Sequence, residues 1–176
     1  MGWADEVRGY WFGLTADQWW HDDSLDRDIR ERFLGLWEKQ RQCPADAFMT
    51  SAGDALAAIL LFAQFPRNMF RDHADSFATD PLALAIARAA VDRGYDEGLT
   101  KDERVFLYMP FQHSENLDDQ QRAVALFTAL GDAELLRFAK LHHAVIERFG
   151  RFPHRNAMLG RSPRPAEIDA GEVTPW

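Results

Sequence analysis

The amino-acid sequence predicts an all-α protein of about seven to nine helices, and three observations support this class. Apolar residues recur at spacings of three and four in successive segments, which is the period of one face of an α-helix. Glycine, proline and capping residues bound those segments. No segment shows sustained alternation with β-branched side chains, so we expect no sheet.

The N-terminal third of the chain is rich in aromatic residues. A short helix is predicted to end at Gly13, directly after a run of aromatic residues. Residues 25–39 place four large apolar side chains on one helical stripe. These are Ile29, Phe33, Leu36 and Trp37. Residues 53–65 are apolar almost all round, which is typical of a helix buried in the centre of a protein.

The middle of the chain carries the clearest helix boundaries. Asp80 is a favourable N-cap and Gly94 a favourable C-terminal stop, so a helix is predicted between them. Thr100 and Glu103 have the spacing of a capping box and open another helix. We expect that helix to end before Pro110, because the residue preceding a proline disfavours the α conformation.

Two further helices are predicted between Asp118 and Gly131 and between Asp132 and Gly150. The second is the longest, and its apolar stripe includes His142. A lone histidine on such a stripe is more often a hydrogen-bonded core residue than a catalyst.

One domain is expected, because a chain of 176 residues hides roughly 70% of its unfolded surface on folding. Residues 1–161 are predicted to form a single helical domain. Residues 162–176 are rich in proline and small polar residues, and we expect a loosely packed tail that Trp176 pins back.

Charge and cysteine content exclude several classes of protein. A net charge of −8 disfavours binding to nucleic acid or to an anionic membrane. Residues 1–20 do not have the pattern of a secretory signal, and the longest apolar stretch, 55–63, is shorter than the roughly 20 residues that span a bilayer. The single Cys43 cannot form an intramolecular disulfide. We expect a cytoplasmic protein without a cofactor, whose oligomeric state the sequence leaves open.

Five arginines and no acidic residue lie between Arg148 and Arg164. Guanidinium groups bind carboxylate or phosphate in a bidentate fork, so this stretch, together with Asn156, suggests an anion pocket. An equally weighted alternative is that the arginines cap helix ends or pair with acidic residues near the N-terminus. Those acidic residues are Asp17, Asp22, Asp23, Asp26 and Asp28.

An internal echo joins residues 62–68, FAQFPRN, with residues 149–156, FGRFPHRN. In each copy a proline ends a predicted helix and the following residues place Arg and Asn beside it. Arg67 and Asn68 are therefore candidates to complete the anion pocket, although each turn also reads as a simple helix stop.

The string PFQHSE at 110–115 offers His113 and Glu115 on a loop. A loop histidine near a carboxylate suits a general base or a metal ligand, with His142 and His154 as further partners. The chain has no recognised metal-binding spacing, and Glu115 also suits the N-terminus of the next helix, so we predict no metal site and favour structural use.

Several strings in this chain resemble those of one known family, the bacterial DUF924 family, in order from about Tyr10 to Arg161. The FGRFPHRN and HSE strings are the most specific of them. The matching strings are YWFG at 10–13, AQFPRNMFR at 63–71, PFQHSE at 110–115, DQ at 119–120 and ERFGRFPHRNAMLGR at 147–161.

This resemblance implies an all-helical fold similar to tetratricopeptide-repeat domains, with helices packed as antiparallel pairs, and an activity that is not established. The chain departs from the family pattern at Ala63, where an acidic residue is usual. Any role of that carboxylate is absent here, which shifts the expectation from catalysis towards binding.

Two functions are consistent with these features. The first is a polar pocket that binds a small anionic ligand, with proton chemistry by His113, Glu115 and His154. The second is a non-catalytic module whose groove holds a protein or peptide. The residues expected to bind the ligand are Arg67, Asn68, Gln120, His142, Arg151, Arg155, Asn156 and Arg161.

Overall fold

A computed structural model describes residues 2–21 and 24–176 of the chain. Over those residues the secondary structure is helical and contains no strand, which confirms the predicted all-α class. The chain forms two compact units, unit 1 (Met1–Leu107) and unit 2 (Tyr108–Trp176). No helix within the described ranges is long and apolar enough to cross a membrane. The predicted limits of the domain, 1–161, and of the tail, 162–176, stay predictions.

Unit 1 packs its helices around aromatic side chains. Phe33 and Phe65 approach each other with ring centroids 4.7 Å apart, and Trp11 lies 5.8 Å from Phe65. The helices of this unit are α1 (Trp3–Phe12), α2 (Ala16–His21), α3 (Leu25–Gln40), α4 (Ala52–Ile59), α5 (Phe65–Met69), α6 (Asp80–Asp92) and the first part of α7 (Lys101–Gln112).

Helices α4 and α5 form one buried rod, joined by a π-helical turn over Leu60–Gln64. The predicted central helix at 53–65 is present, but it continues through Pro66. Proline lacks an N–H and crowds the carbonyl four residues earlier, here that of Phe62, so a wider turn accommodates it. The Phe62 carbonyl instead accepts a hydrogen bond from the Thr79 hydroxyl at 2.6 Å.

The prediction that a helix ends before Pro110 is wrong, because α7 continues through this proline to Gln112. A proline inside a helix removes one backbone hydrogen bond. Here the apolar residues on either side of it, Val105–Met109 and Phe111, are all buried. Packing of these side chains therefore outweighs the local cost of the proline.

Unit 2 contains the end of α7 and the helices α8 (Leu117–Leu130), α9 (Ala133–Phe149) and α10 (Pro165–Ala170). Asn116 caps α8 by accepting the N–H of Asp118 at 2.8 Å, so the helix begins before the predicted Asp118. Only two residues separate α8 from α9, and Gly131 adopts φ +77° between them. This tight left-handed turn makes the two helices an antiparallel pair.

Candidate functional site

The FPHRN turn, residues 152–156, follows α9 directly and belongs to unit 2. Gly150 ends α9 in a left-handed conformation with φ +69°, a value that favours glycine. The chain then forms a short 3₁₀ turn over Pro153–Arg155. Phe152 is fully buried in a cluster with Val145, Ile146 and Phe149. Burial of this ring fixes the turn and the polar side chains that follow it.

Glu115 ties the HSE loop to the FPHRN turn. Its Oε1 accepts the backbone N–H of Phe152 at 2.8 Å. Both carboxylate oxygens accept from Arg161, at 2.7 Å and 3.0 Å, in a bidentate pair. Burial opposes ionisation of Glu115, but the hydrogen bonds from Arg161 and Phe152 outweigh it and lower its pKa. Glu115 is therefore an ionised clamp at neutral pH.

Glu167 forms a second clamp in the same unit. Arg151 donates to both of its oxygens, at 2.6 Å and 2.8 Å, and Asn156 donates to Oε2 at 2.9 Å. The backbone N–H of Arg164 adds a bond at 2.8 Å. The hydrogen bonds from Arg151 are the main reason that the pKa of Glu167 falls to about 2. Asn156 also accepts from Arg161 at 3.0 Å, and this bond links the two clamps.

Sequence reasoning missed Glu167, because it treated this segment as a loose tail. Glu167 is 4% exposed and lies on α10, whereas Ile168 on the same helix is exposed, so α10 is held through this carboxylate. The sequence did contain a signal for this helix. Pro165 at the first helical position and an acidic residue at the third are both favoured at a helix start.

Two histidines pack against the ring of Phe152 and a third packs against one of them, and with Phe152 and Arg155 they form what we name the histidine cluster. The rings of His142 and His154 each lie 5.6 Å from that of Phe152, and His113 lies 6.1 Å from His142. The Arg155 guanidinium is centred 4.5 Å from the Phe152 ring and donates to the His113 carbonyl at 3.1 Å. All five residues belong to unit 2.

Two histidines of this cluster, His142 and His154, are held neutral at pH 7. Burial lowers the pKa of His142 to about 4, although its hydrogen bond to the Phe138 carbonyl opposes the shift. Burial also lowers the pKa of His154 to about 4, and the positive charge of Arg155 adds to the effect. The Nδ1 atom of His154 is buried and has no hydrogen-bond partner among the described residues. The ring of His154 also packs 4.9 Å from that of Trp176, the contact expected to pin the tail.

Gln120 holds the backbone of the HSE loop by hydrogen bonds. It is fully buried, and its Nε2 donates to the carbonyls of Gln112 at 2.7 Å and Ser114 at 2.6 Å. Its Oε1 is buried without a hydrogen-bond partner in the described part of the chain. The geometry of Gln120 thus fixes the backbone that carries His113.

Arg67 and Asn68 belong to unit 1, and their hydrogen bonds are made there. Arg67 donates to both oxygens of Asp80 and to the carbonyls of Ala63 and Ser76. Asn68 donates to Asp26 at 2.9 Å. At Ala63 the backbone carbonyl serves as one of the acceptors for Arg67.

The alternative for the arginines is pairing with N-terminal acidic residues or capping of helix ends, and Arg164 does the second by donating to the carbonyl of Phe149, the last residue of α9, at 3.1 Å. Arg151 and Arg161 pair with Glu167 and Glu115 instead. Asp22 and Asp23 lie outside the described residues. As for metals, the described histidines, cysteine and carboxylates contain no group of three or more arranged to hold an ion.

Comparisons with known proteins agree with this fold. A family model described as "Bacterial protein of unknown function (DUF924)" matches residues 7–170. A solved structure of a protein of unknown function from Agrobacterium tumefaciens is 38% identical, covers 97% of each chain and has a TM-score of 0.88. No curated protein matches the chain significantly. The chain therefore belongs to the DUF924 family of bacterial proteins.

Proposed function

We propose that unit 2 binds a small anion, a phosphate or carboxylate group, at the histidine cluster. The observation that carries this proposal is the placement of two neutral imidazoles, His142 and His154, beside the Arg155 guanidinium. An unpartnered imidazole nitrogen and a guanidinium offer complementary hydrogen bonds and charge to an oxyanion.

The two clamps supply the frame in this proposal. Glu167 and Glu115 accept the hydrogen bonds of Arg151, Arg161 and Asn156. These bonds hold the turn that carries His154 and Arg155. Buried pairs of this kind keep neighbouring side chains in one geometry. Among the residues expected to bind the ligand, Arg155 and His142 are therefore the ones that face it.

Binding would be linked to proton uptake. Arg155 lowers the pKa of both His142 and His154, and a bound anion would offset that positive charge and raise both pKa values. Affinity for an anion of constant charge should consequently rise as the pH falls towards the raised pKa values of the bound state. His154, which is half-buried, is the group suited to proton exchange with the ligand, whereas Glu115 stays ionised.

A thermal-shift titration with inorganic phosphate tests this function. Phosphate at 100 times its Kd should stabilise the wild type by about 2.7 kcal/mol. His154→Gln should abolish the phosphate response. The matched control is Arg148→Gln, which removes one charge from the same stretch but alters an exposed arginine stacked on Phe149. That variant should respond like the wild type.

Two results would contradict the proposal. One is an equal phosphate response in the wild type and His154→Gln. The other is no response to phosphate or carboxylates between pH 5 and 7. The rival function, a groove that holds a protein or peptide, predicts that second result together with stabilisation by peptides.

A further inference from the structure

Unit 1 contains a separate groove that the proposed function does not use. It has a volume of about 350 Å³ and lies between α3 and the segment that follows α5. Such a volume lies at the lower end of the range of small-molecule pockets, roughly 300–1,000 Å³. On α3 the lining residues follow a helical spacing of three and four and so share one face. Trp37 lines the groove together with six residues that carry the argument: Arg30, Leu34, Glu38, Arg41, Phe70 and Asp75.

Arg41 offers oriented hydrogen-bond donors to this groove. Its guanidinium is centred 4.2 Å from the ring of Trp37. That ring is itself fixed, because its Nε1–H donates to the Thr79 hydroxyl at 3.1 Å and it packs 5.0 Å from Phe70. The guanidinium N–H groups of Arg41 have no acceptor within the described residues. Stacking thus presets the guanidinium while its donors stay available.

An apolar wall lies beside this donor. Leu34 and Phe70 are both half-buried and line the groove. Arg30 holds the end of α5 by donating to the Met69 carbonyl at 2.7 Å, and its guanidinium lies 5.3 Å from the Phe70 ring. Arg30 is thus partly committed to the fold, which leaves Arg41 as the principal anion-binding group.

Two carboxylates balance the two arginines. Glu38 and Asp75 both line the groove and are exposed. Asp75 lies 3.4 Å from His73, and Glu38 has no ion-pair partner in the described ranges. This arrangement disfavours a dianion such as phosphate, because like charges repel at short range. It suits a molecule with one carboxylate, one ammonium group and an apolar side chain.

We propose that this groove binds a free amino acid with an apolar side chain. The ligand carboxylate pairs with Arg41, its ammonium group lies near Glu38 and Asp75, and its side chain packs on Leu34 and Phe70. This inference does not depend on the anion site of unit 2.

The test is an NMR titration of the ¹⁵N-labelled protein with L-phenylalanine. The Trp37 indole N–H, assigned with Trp37→Phe, should shift in a saturable way. Arg41→Gln should weaken binding about tenfold to hundredfold, as expected for loss of a charge-assisted hydrogen bond. Phenylalaninamide lacks the carboxylate and N-acetylphenylalanine lacks the ammonium group, so both should bind more weakly than L-phenylalanine. Inorganic phosphate should leave the Trp37 resonance in place.

A matched control is Arg137→Gln, because Arg137 stacks on Phe138 at 4.4 Å, on α9 in unit 2. It should bind L-phenylalanine like the wild type. The proposal is overturned if Trp37 shows no saturable shift, if Arg41→Gln binds as the wild type does, or if either derivative binds as tightly as L-phenylalanine. A phosphate response confined to the histidine cluster would support the anion site alone, so the two proposals fail separately.

Discussion

Three of the five arginines between residues 148 and 164 divide into two kinds by what each guanidinium contacts. Arg151 and Arg161 each meet one carboxylate with two nitrogens. Arg155 instead lies over Phe152 among the histidines and is 7% exposed. Sequence spacing cannot separate these two kinds of arginine. Glu115 is distant in the chain from Arg161, and Glu167 lies in the segment that the sequence predicts to be a tail.

The first prediction concerns the Glu115 clamp. Glu115→Gln should lower the free energy of unfolding by about 1–3 kcal/mol. The partly buried Arg161 loses its ionic partner, and the backbone N–H of Phe152 loses a strong hydrogen-bond acceptor. Urea denaturation at pH 7 measures this. The control is Glu31→Gln, which breaks the exposed pair with Arg27 and should cost less than about 1 kcal/mol. Equal losses in both variants would show that the clamp does not stabilise the fold.

At the scale of elements, sequence patterns identified most helices because their boundaries depend on local chemistry. Asp132 caps α9 by accepting the N–H groups of Glu134 and Leu135, and Thr100 and Glu103 form their predicted capping box. Gly94, where the helix from Asp80 was predicted to stop, has φ +70°. These contacts span two or three residues, so a sequence window captures them.

The elements that sequence patterns missed depend on tertiary contacts. Pro66 and Pro110 are predicted to end helices, yet both helices continue through the proline because the residues around it are buried. Residues 165–170 lie in the predicted tail but form α10, and Glu167 on this helix accepts hydrogen bonds from Arg151 and Asn156. The sequence likewise indicated the three histidines as possible partners, but it could not predict that His142 and His154 both pack on Phe152.

The second prediction tests whether α10 is docked by its carboxylate. Glu167→Ala should remove the hydrogen-exchange protection of the Ile168 amide, which donates to the Arg164 carbonyl, and destabilise unit 2 by about 1–3 kcal/mol. Asp169→Ala, an exposed position on the same helix, should leave both unchanged. Continued protection of Ile168 in Glu167→Ala would mean that apolar contacts alone hold α10.

At the scale of the whole chain, the same device occurs once in each unit. In unit 1, the FPRN residues lie within α5, where Arg67 pairs with Asp80 and Asn68 with Asp26. In unit 2, the FPHRN turn pairs Asn156 with Glu167. The asparagine of each string in the internal echo therefore donates to a carboxylate. His154 has no counterpart in the first string.

The third prediction is the pH dependence of global stability. His142 and His154 have folded pKa values of about 4 and unfolded values near 6.5, so the unfolded chain binds more protons between these limits. Stability should therefore be complete above pH 6.5 and fall as the pH drops towards 4. His142 contributes up to about 3 kcal/mol to this loss, and His154, which is nearer to solvent, contributes less. Urea midpoints at pH 7, 5.5 and 4.5 measure the slope.

His142→Gln separates this cause from others. The variant should be less dependent on pH between 6.5 and 4, even if it is less stable at pH 7. An unchanged slope would assign the pH dependence to other groups.

The anion site rests on the electrostatic state of His154, and an NMR titration of its ring protons measures that state directly. In the free protein, the pKa of His154 should lie near 4, and saturating inorganic phosphate should raise it by about one unit or more, since a bound anion offsets the charge of Arg155. The rise should disappear in Arg155→Gln. A His154 pKa near 6.5 in the free protein, or one that phosphate leaves unchanged, would contradict the account.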